Sequence, residues 1–289
     1  FIGVRDERTG THMADGYARA TGKPGIMIAG QNGPGATNLV TGVAQAAAAF
    51  SPVITIAGAI SSEHLGKDSF QEINQQALFE PITKKTWTIN EAAKIPEVFY
   101  DAFKLALTPR SGPVHINLPR NILSGEENFK EFKKFEIKYP PLVTNNELSK
   151  VINIIYESSK PVIIAGGGIK NTQGYKEVIN LAKIANIPIV SSAGHGDAIP
   201  FDEDLYAGQM GPRGNVVASK LVKSADVILA LGTRLGFNST FYSYENINKK
   251  ASIIQVEIEQ SALGRYFPIV MGICADAKTF TKQLYKEIS

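Results

Sequence analysis

Along this chain, short, nearly continuous apolar runs alternate with longer stretches in which apolar residues return every three or four positions. The runs are "GIMIAG" (25–30), "PVITIAGAI" (52–60), "GPVHINLP" (112–119), "PVIIAGGG" (161–168), "IPIVSS" (187–192), "DVILALG" (226–232) and "SIIQVEI" (252–258). Their continuity predicts parallel strands covered on both faces, and for "GIMIAG" a buried strand rather than an alternating surface one. "FIGV" (1–4) reads as a further strand already under way. Helices are predicted from Thr9 to Thr21, where Gly22 and Pro24 supply the stop, and then over 36–50, 91–107, 146–158, 172–185, 214–224 and from Ala277 onward. The alanines and missing charges of "ATNLVTGVAQAAAAF" (36–50) predict a helix packed closely on both sides.

This rhythm is the α/β class, with two doubly wound, mostly parallel-sheet, three-layer domains. It lapses once, in a charged, aromatic-dotted stretch closed by Pro140-Pro141. The expected division is therefore a domain over 1–124, a linker over 125–145 and a second domain over 146–289. No sequence repeat relates the two halves.

Length supports the division, since 289 residues exceed the usual ~100–200 of one domain. Thirty basic against 27 acidic residues leave a net charge of +3, and the densest basic stretch, Lys130 to Lys138, is broken by Glu131 and Glu136. That field is too weak to predict a nucleic-acid or membrane partner. No run approaches the ~20 apolar residues of a membrane span. The single cysteine, Cys274, excludes an internal disulfide, and with four scattered histidines it predicts no metal site; a cytoplasmic, reducing compartment fits. His12 and His115 read as packed or structural, whereas His64 and His195 lie in polar loops that leave their role open.

Two signals could carry chemistry. Glycines crowd the ends of predicted strands, at 29–35, 165–168, 191–196, 208–214 and 231–236, where open α/β sheets hold ligands. None forms the G-x-G-x-x-G fingerprint with its later acidic residue, so the turns alone predict tight connections or a nucleotide pocket of another kind. Glu7, within Arg5-Asp6-Glu7-Arg8, stands at a helix start, where position alone explains a carboxylate.

The residues as a string say more. "RDERTGTHMADGYARATGKPGIMIAGQNGPGATN" (5–38), "DSFQE" (68–72), "ITKKTW" (82–87) and "SGPVHINLPRNIL" (111–123) closely resemble the pyrimidine-binding domain of thiamine-diphosphate enzymes of the acetolactate synthase type. "PVIIAGGG", "ADVILALGTRLG", "IIQVEIEQSALGR" and "GICADAK" are similar to the central domain of the same family. The resemblance implies a 2-oxo-acid carboligase or decarboxylase. In such enzymes a glutamate matching Glu7 bonds the cofactor's aminopyrimidine, the cofactor ylide attacks pyruvate, and an enamine forms as CO₂ leaves. It implies burial of Glu7 at the end of the preceding strand, and cofactor contacts from Gln31, Asn32, Gly33, Pro34, Gly35, Asn38, Phe70 and Gln71, with Glu72 beside them. In the second domain it allows FAD or ADP near Gly166, Gly167, Gly168, Gly232, Thr233 and Arg234.

Departures narrow the expectation. The family's Gly-Asp-Gly and Asn-Asn, which hold the diphosphate and Mg²⁺, have no counterpart beyond Gly196-Asp197-Ala198 and Asn145-Asn146. A third domain is expected after Ser289 and a truncation before Phe1, so the fragment alone is expected to be inactive. A homodimer or homotetramer sharing its active site between subunits is implied. Asp6 stands where histidine is frequent. "GQNGPG", "ALGTRLGFNSTF" and "GICADAK" look closer to sulfoacetaldehyde acetyltransferases, which release sulfite and form acetyl phosphate. The Phe-Asp-Asp-Arg of flavin-binding synthases is replaced after Gly232-Thr233-Arg234 by Leu235-Gly236-Phe237, which weighs against FAD. The alternative from another class is a non-catalytic nucleotide-binding or assembly module.

Overall fold

The computed structural model describes residues 1–129 and 142–289; most of the predicted linker, 130–141, lies outside the described residues. The chain divides into two compact units, Phe1–Lys138 and Tyr139–Ser289.

The first unit runs α1 (Glu7–Thr21), β1 (Gly25–Ile28), α2 (Pro34–Ala49), β2 (Val53–Ala59), α3 (Gln75–Phe79), β3 (Thr86–Thr88), α4 (Ile95–Leu107), β4 (Val114–Pro119) and α5 (Arg120–Leu123). Its four strands are all parallel in the order β1-β2-β4-β3, with Ile54 opposite Val114 and Thr86 opposite His115. Alternation along the strands divides the core between two faces. Met27, Ala29, Val53 and Ala57 meet Ala14 and Ala18 of α1 and Leu39, Val43 and Ala46 of α2. Ile54, Ile56, Val114 and Ile116 turn the other way, toward Ala102 and Ala106 of α4.

The second unit runs α6 (Asn145–Tyr156), β5 (Pro161–Ala165), α7 (Gly167–Asn171), α8 (Tyr175–Ala185), β6 (Ile189–Ser191), β7 (Tyr206–Gln209), α9 (Val216–Ser224), β8 (Val227–Leu231), α10 (Phe237–Thr240), β9 (Ser252–Glu257), β10 (Met271–Cys274) and α11 (Ala277–Ile288). Six parallel strands take the order β10-β9-β8-β5-β6-β7. Ile163, Leu229 and Ile254 fill one face under α6, α8 and α11, while Val162, Ile164, Ile228 and Ile253 fill the other with Ala218 and Val222 of α9. Caps explain where the helices begin: Thr144 and Glu147 form a reciprocal capping box on α6, and Asp276 accepts from the Thr279 amide on α11. Among the described residues no helix is long and apolar enough to cross a membrane.

Four expectations need correction. Residues 1–4 form no strand; Phe1 and Ile2 are exposed, and "FIGV" pairs with neither edge of the sheet. β1 is an edge strand whose burial alternates, leaving Ile26 and Ile28 half exposed, because only one face is covered. α1 begins at Glu7 rather than Thr9, since Asp6 accepts from the Arg8 amide at 2.8 Å and caps it. α2 buries one face, Gly35, Ala36, Leu39, Gly42, Val43 and Ala46, and exposes the other; alanine's helix propensity accounts for the rest of that composition.

The side of β4 beneath α3 is polar and fully interior. His115 is 0% exposed and stacks on Phe79, with its Nδ1 2.8 Å from Thr55 Oγ1 and its Nε2 2.9 Å from Asn117 Oδ1. Burial pushes its pKa down to about 4, against a hydrogen bond to Asn117 that raises it. A histidine held neutral in the folded state but free to charge at about 6.5 when unfolded stabilises the fold fully above that pH. The contribution is lost as pH falls from there toward 4, on the order of 3 kcal/mol in all. Urea midpoints followed by Trp87 fluorescence are expected to drop between pH 7 and pH 4.5, and to drop less in His115→Gln. Equal drops would exclude His115 as the cause. His12, by contrast, lies exposed on α1 and is not packed.

Candidate active site

At the carboxyl ends of β1 and β2 the chain brings together three pieces that are remote in sequence. The first is Glu7, delivered as the opening residue of α1 and not by a strand. Its Oε1 accepts from the Gly30 amide at 3.3 Å and its Oε2 from Asn38 Nδ2 at 3.0 Å. The backbone carbonyl of Glu7 accepts from Thr11 Oγ1 at 2.8 Å. The carboxylate is half-buried, less than full burial would give. Asp6, in the place where histidine was expected, is a helix cap whose carboxyl is held below its usual range chiefly by the Arg8 amide.

The second piece is the turn from Gly30 to Gly35. Gly33 is buried with φ 56° and ψ −105°, a backbone that side chains other than glycine's rarely accept, and a Cβ there would lie 2.5 Å from the Gln71 carbonyl oxygen. Pro34 then starts α2 without needing an amide partner.

The third piece is the loop after β2. Asn32 Nδ2 donates to the carbonyls of Phe70 and Gln71 at 3.2 and 3.3 Å, and Gln31 Nε2 donates to Gln71 Oε1. Gln71 itself has φ 59°. Glu72 faces inward to its own loop, accepting from the Gly66 and Ser69 amides at 2.7 and 3.0 Å, which hold its carboxyl below the usual range. Phe70 is 78% exposed, displayed by this framework. Thus Glu7, Gln31, Asn32, Gly33, Pro34, Gly35, Asn38, Phe70 and Gln71 occupy one region.

Missing side chains let the backbone of the turn lie against the carboxylate at Gly35 and leave its Gly30 side uncovered. A Cβ on Gly35 would come within 3.3 Å of Glu7 Oε1, and one on Gly30 within 3.5 Å. A flat heteroaromatic ring with a hydrogen-bonding edge suits such a place: one carboxylate fixed by two donors, beside a wall of backbone.

The second unit's candidates form a separate cluster at the ends of β5 and β8. Gly168 N donates to Gly232 O at 2.9 Å, and a Cβ on Gly232, whose φ is 61°, would sit 2.6 Å from Gly168 Cα. A Cβ on Gly166 would sit 2.5 Å from Thr233 Cβ, and Gly167 lies against the His195 ring. Gly166, Gly168 and Gly232 are thus accounted for by backbone packing on backbone, and Gly167 by the His195 side chain. Thr233 is buried and Arg234 half-buried. Among the described residues no group of three or more His, Cys, Asp or Glu could hold a metal ion.

Comparison with known proteins places this geometry. Residues 1–78 match the family model for the thiamine pyrophosphate enzyme N-terminal TPP binding domain, and residues 148–284 match that for the thiamine pyrophosphate enzyme central domain. The chain belongs to the thiamine pyrophosphate enzymes. Among relatives of that family, it is 36% identical over 287 residues to a probable acetolactate synthase large subunit of Methanocaldococcus jannaschii, covering 97% of this chain and 48% of that protein. It is 34% identical over 295 residues to a sulfoacetaldehyde acetyltransferase of Castellaniella defragrans, covering 100% of this chain and 48% of the relative. The chain spans about half the length of the curated relatives it matches. Thiamine pyrophosphate is the same molecule as thiamine diphosphate, and a carboxyl group set against glycine backbone has the hydrogen-bonding chemistry that an aminopyrimidine edge requires.

Two residues of the region were missed by sequence reading: Gln75, which accepts from the Gly33 amide, and Asn117, which accepts from Gln75. Glu72, read as lying beside the contact residues, organises its own loop. Only Asn117 left a signal: an amide in the middle of an apolar strand needs a partner.

Proposed function

We propose that this chain is the cofactor-activating part of a thiamine diphosphate-dependent carboligase or decarboxylase of the acetolactate synthase type, acting on pyruvate. The observation that supports it is the Glu7 carboxylate, held by Gly30 N and Asn38 Nδ2 against the turn, with its Gly30 side uncovered: a Cβ on Gly30 would meet nothing within 4 Å but Glu7 Oε1.

Bound thiamine diphosphate supplies a nucleophilic ring carbon and an electron sink for the 2-oxo acid. The protein's part is smaller. Glu7, carrying a proton, would donate it to a ring nitrogen, which has none of its own, and as a carboxylate would then accept from the protonated ring; the donors from Gly30 and Asn38 fix the carboxyl group in one orientation for that exchange. Gln31 to Gly35 form a backbone wall beside it, and Phe70 and Gln71 face the acceptor's side.

In this reading 1–124 is the pyrimidine-binding domain, 125–145 the linker and 146–289 the central domain. The diphosphate and its Mg²⁺ are held by a third domain of a partner subunit, in a cytoplasmic homodimer or homotetramer, and the present chain alone is inactive. FAD or ADP, if held at all, belongs at Gly166–Gly168 and Gly232–Arg234, whose glycines already serve each other.

The test is an assay of the full-length enzyme with pyruvate and, separately, with sulfoacetaldehyde plus phosphate. Acetolactate from pyruvate is the expected result. Acetyl phosphate from sulfoacetaldehyde, with pyruvate unconsumed, would reassign the enzyme to the acetyltransferases. Turnover of neither would favour a non-catalytic nucleotide-binding or assembly module.

A further inference from the structure

Beneath the Gly33 turn lies a buried side chain that the chemistry above does not use. Gln75 opens α3, a five-residue helix capped by Asn74, and is 6% exposed. Both ends of its amide are committed. Oε1 accepts from the Gly33 amide at 3.3 Å, while Nε2 donates to the Gly58 carbonyl at 3.1 Å and to Asn117 Oδ1 at 2.7 Å.

The direction of this chain of bonds is fixed by its two ends. Gly33 N–H can only donate and the Gly58 carbonyl can only accept, so the Gln75 amide has a single orientation. Asn117 Oδ1 also takes the Nε2 proton of His115, which leaves His115 Nδ1 to accept from Thr55 Oγ1. Strands β2 and β4 are thereby tied through Gln75 to the backbone of the turn. Gly33 is gripped on both sides, since its carbonyl accepts from the Thr37 amide at 2.9 Å to start α2. The other side-chain ties from the turn to the 70–71 loop involve exposed or part-buried groups: Gln31 to Gln71, and Asn32 to the carbonyls of Phe70 and Gln71. A bond in the buried position is stronger and costlier to lose.

We propose that Gln75 is a positioning residue for the active site: through Gly33 N it sets the Gly30–Gly35 turn, and so the Gly30 amide and the clearance at Gly35 that orient Glu7. The functional half of this inference rests on the proposed role of Glu7.

Two measurements separate the halves. In the 289-residue chain without cofactor, residue-resolved hydrogen exchange is expected to show the Gly33 amide protected. In Gln75→Met, which keeps size and removes all three bonds, that protection should fall about tenfold or more, while Ile116 in β4 and Leu39 in α2 keep theirs. An unprotected Gly33 amide in the unmodified chain overturns the inference with no variant needed. So does protection unchanged in Gln75→Met, or lost equally at all three amides.

In the full-length enzyme loaded with thiamine diphosphate, Gln75→Met should lower kcat about tenfold or more with KM nearly unchanged. A purely structural role would lower the unfolding midpoint and leave kcat below that midpoint alone, and that outcome overturns the positioning role. Should Glu7→Gln leave cofactor activation intact, the Glu7 reading fails, while the Gly33 exchange result still stands on its own.

Discussion

Gly33→Ala is expected to destabilise the first unit by roughly 2–5 kcal/mol, combining a backbone held in a disfavoured region with overpacking. The new Cβ would stand 2.5 Å from the Gln71 carbonyl and 2.9 Å from Gln71 Cβ, and Gln71 cannot retreat cheaply because its own φ is 59°. Gly66→Ala is the control: φ there is 75°, but nothing lies within 4 Å of the added carbon. It should cost only the backbone share, about 1–2 kcal/mol. Urea unfolding read through Trp87, the single tryptophan and a residue of β3, compares the two directly. Equal midpoints for Gly33→Ala and Gly66→Ala would remove the contact with Gln71 from the account.

That contact also shows what the sequence could and could not disclose. The Gly-Pro-Gly turn was visible as a turn, because glycines flanking a proline at a strand end have few other uses. Its partner was not, since Gln71 lies 38 positions on in a loop whose "FQEINQQ" reads as surface. Gln75 was hidden for the same reason: a glutamine among polar neighbours carries no mark of being 6% exposed. The long helices and buried strands announced themselves by period, as α6 and β8 show with the predicted helix 146–158 and "DVILALG". The short strands did not. β3, β7 and β10 are three or four residues long and lie at sheet edges, too brief for any period to register. β1 misled in the opposite sense, because Ile26 and Ile28 are apolar yet half exposed, and an apolar edge strand looks like a central one. The mutual packing of Gly168 and Gly232 likewise belongs to the fold alone; read singly, each turn suggested a tight connection, and only their number in one domain suggested a ligand.

Glu7 was legible only through resemblance. By position it is an ordinary acidic residue at a helix start. The structure adds that both carboxylate oxygens are engaged, by Gly30 N and Asn38 Nδ2, and that Gly30 leaves one side of the carboxylate uncovered. A carboxylate so held is oriented for proton sharing with a ring nitrogen, and an amide in its place keeps the shape while losing the basic oxygen. General acid–base groups contribute about 10²- to 10⁴-fold to rate, and Glu7→Gln should lose that much. Fold stability should change little, because the glutamine oxygen can still accept from Gly30 N and the exposed Asn38 amide can turn its oxygen toward the new Nε2.

The measurement that bears most directly on the central claim is hydrogen–deuterium exchange at C2 of thiamine diphosphate bound to the full-length protein, with and without Glu7→Gln. Exchange slowed by about 10²-fold or more in the variant, with the cofactor still bound, is the predicted result. Exchange as fast as in the unmodified enzyme would contradict the role assigned to Glu7, and with it the reading of this chain as the activating half of the site.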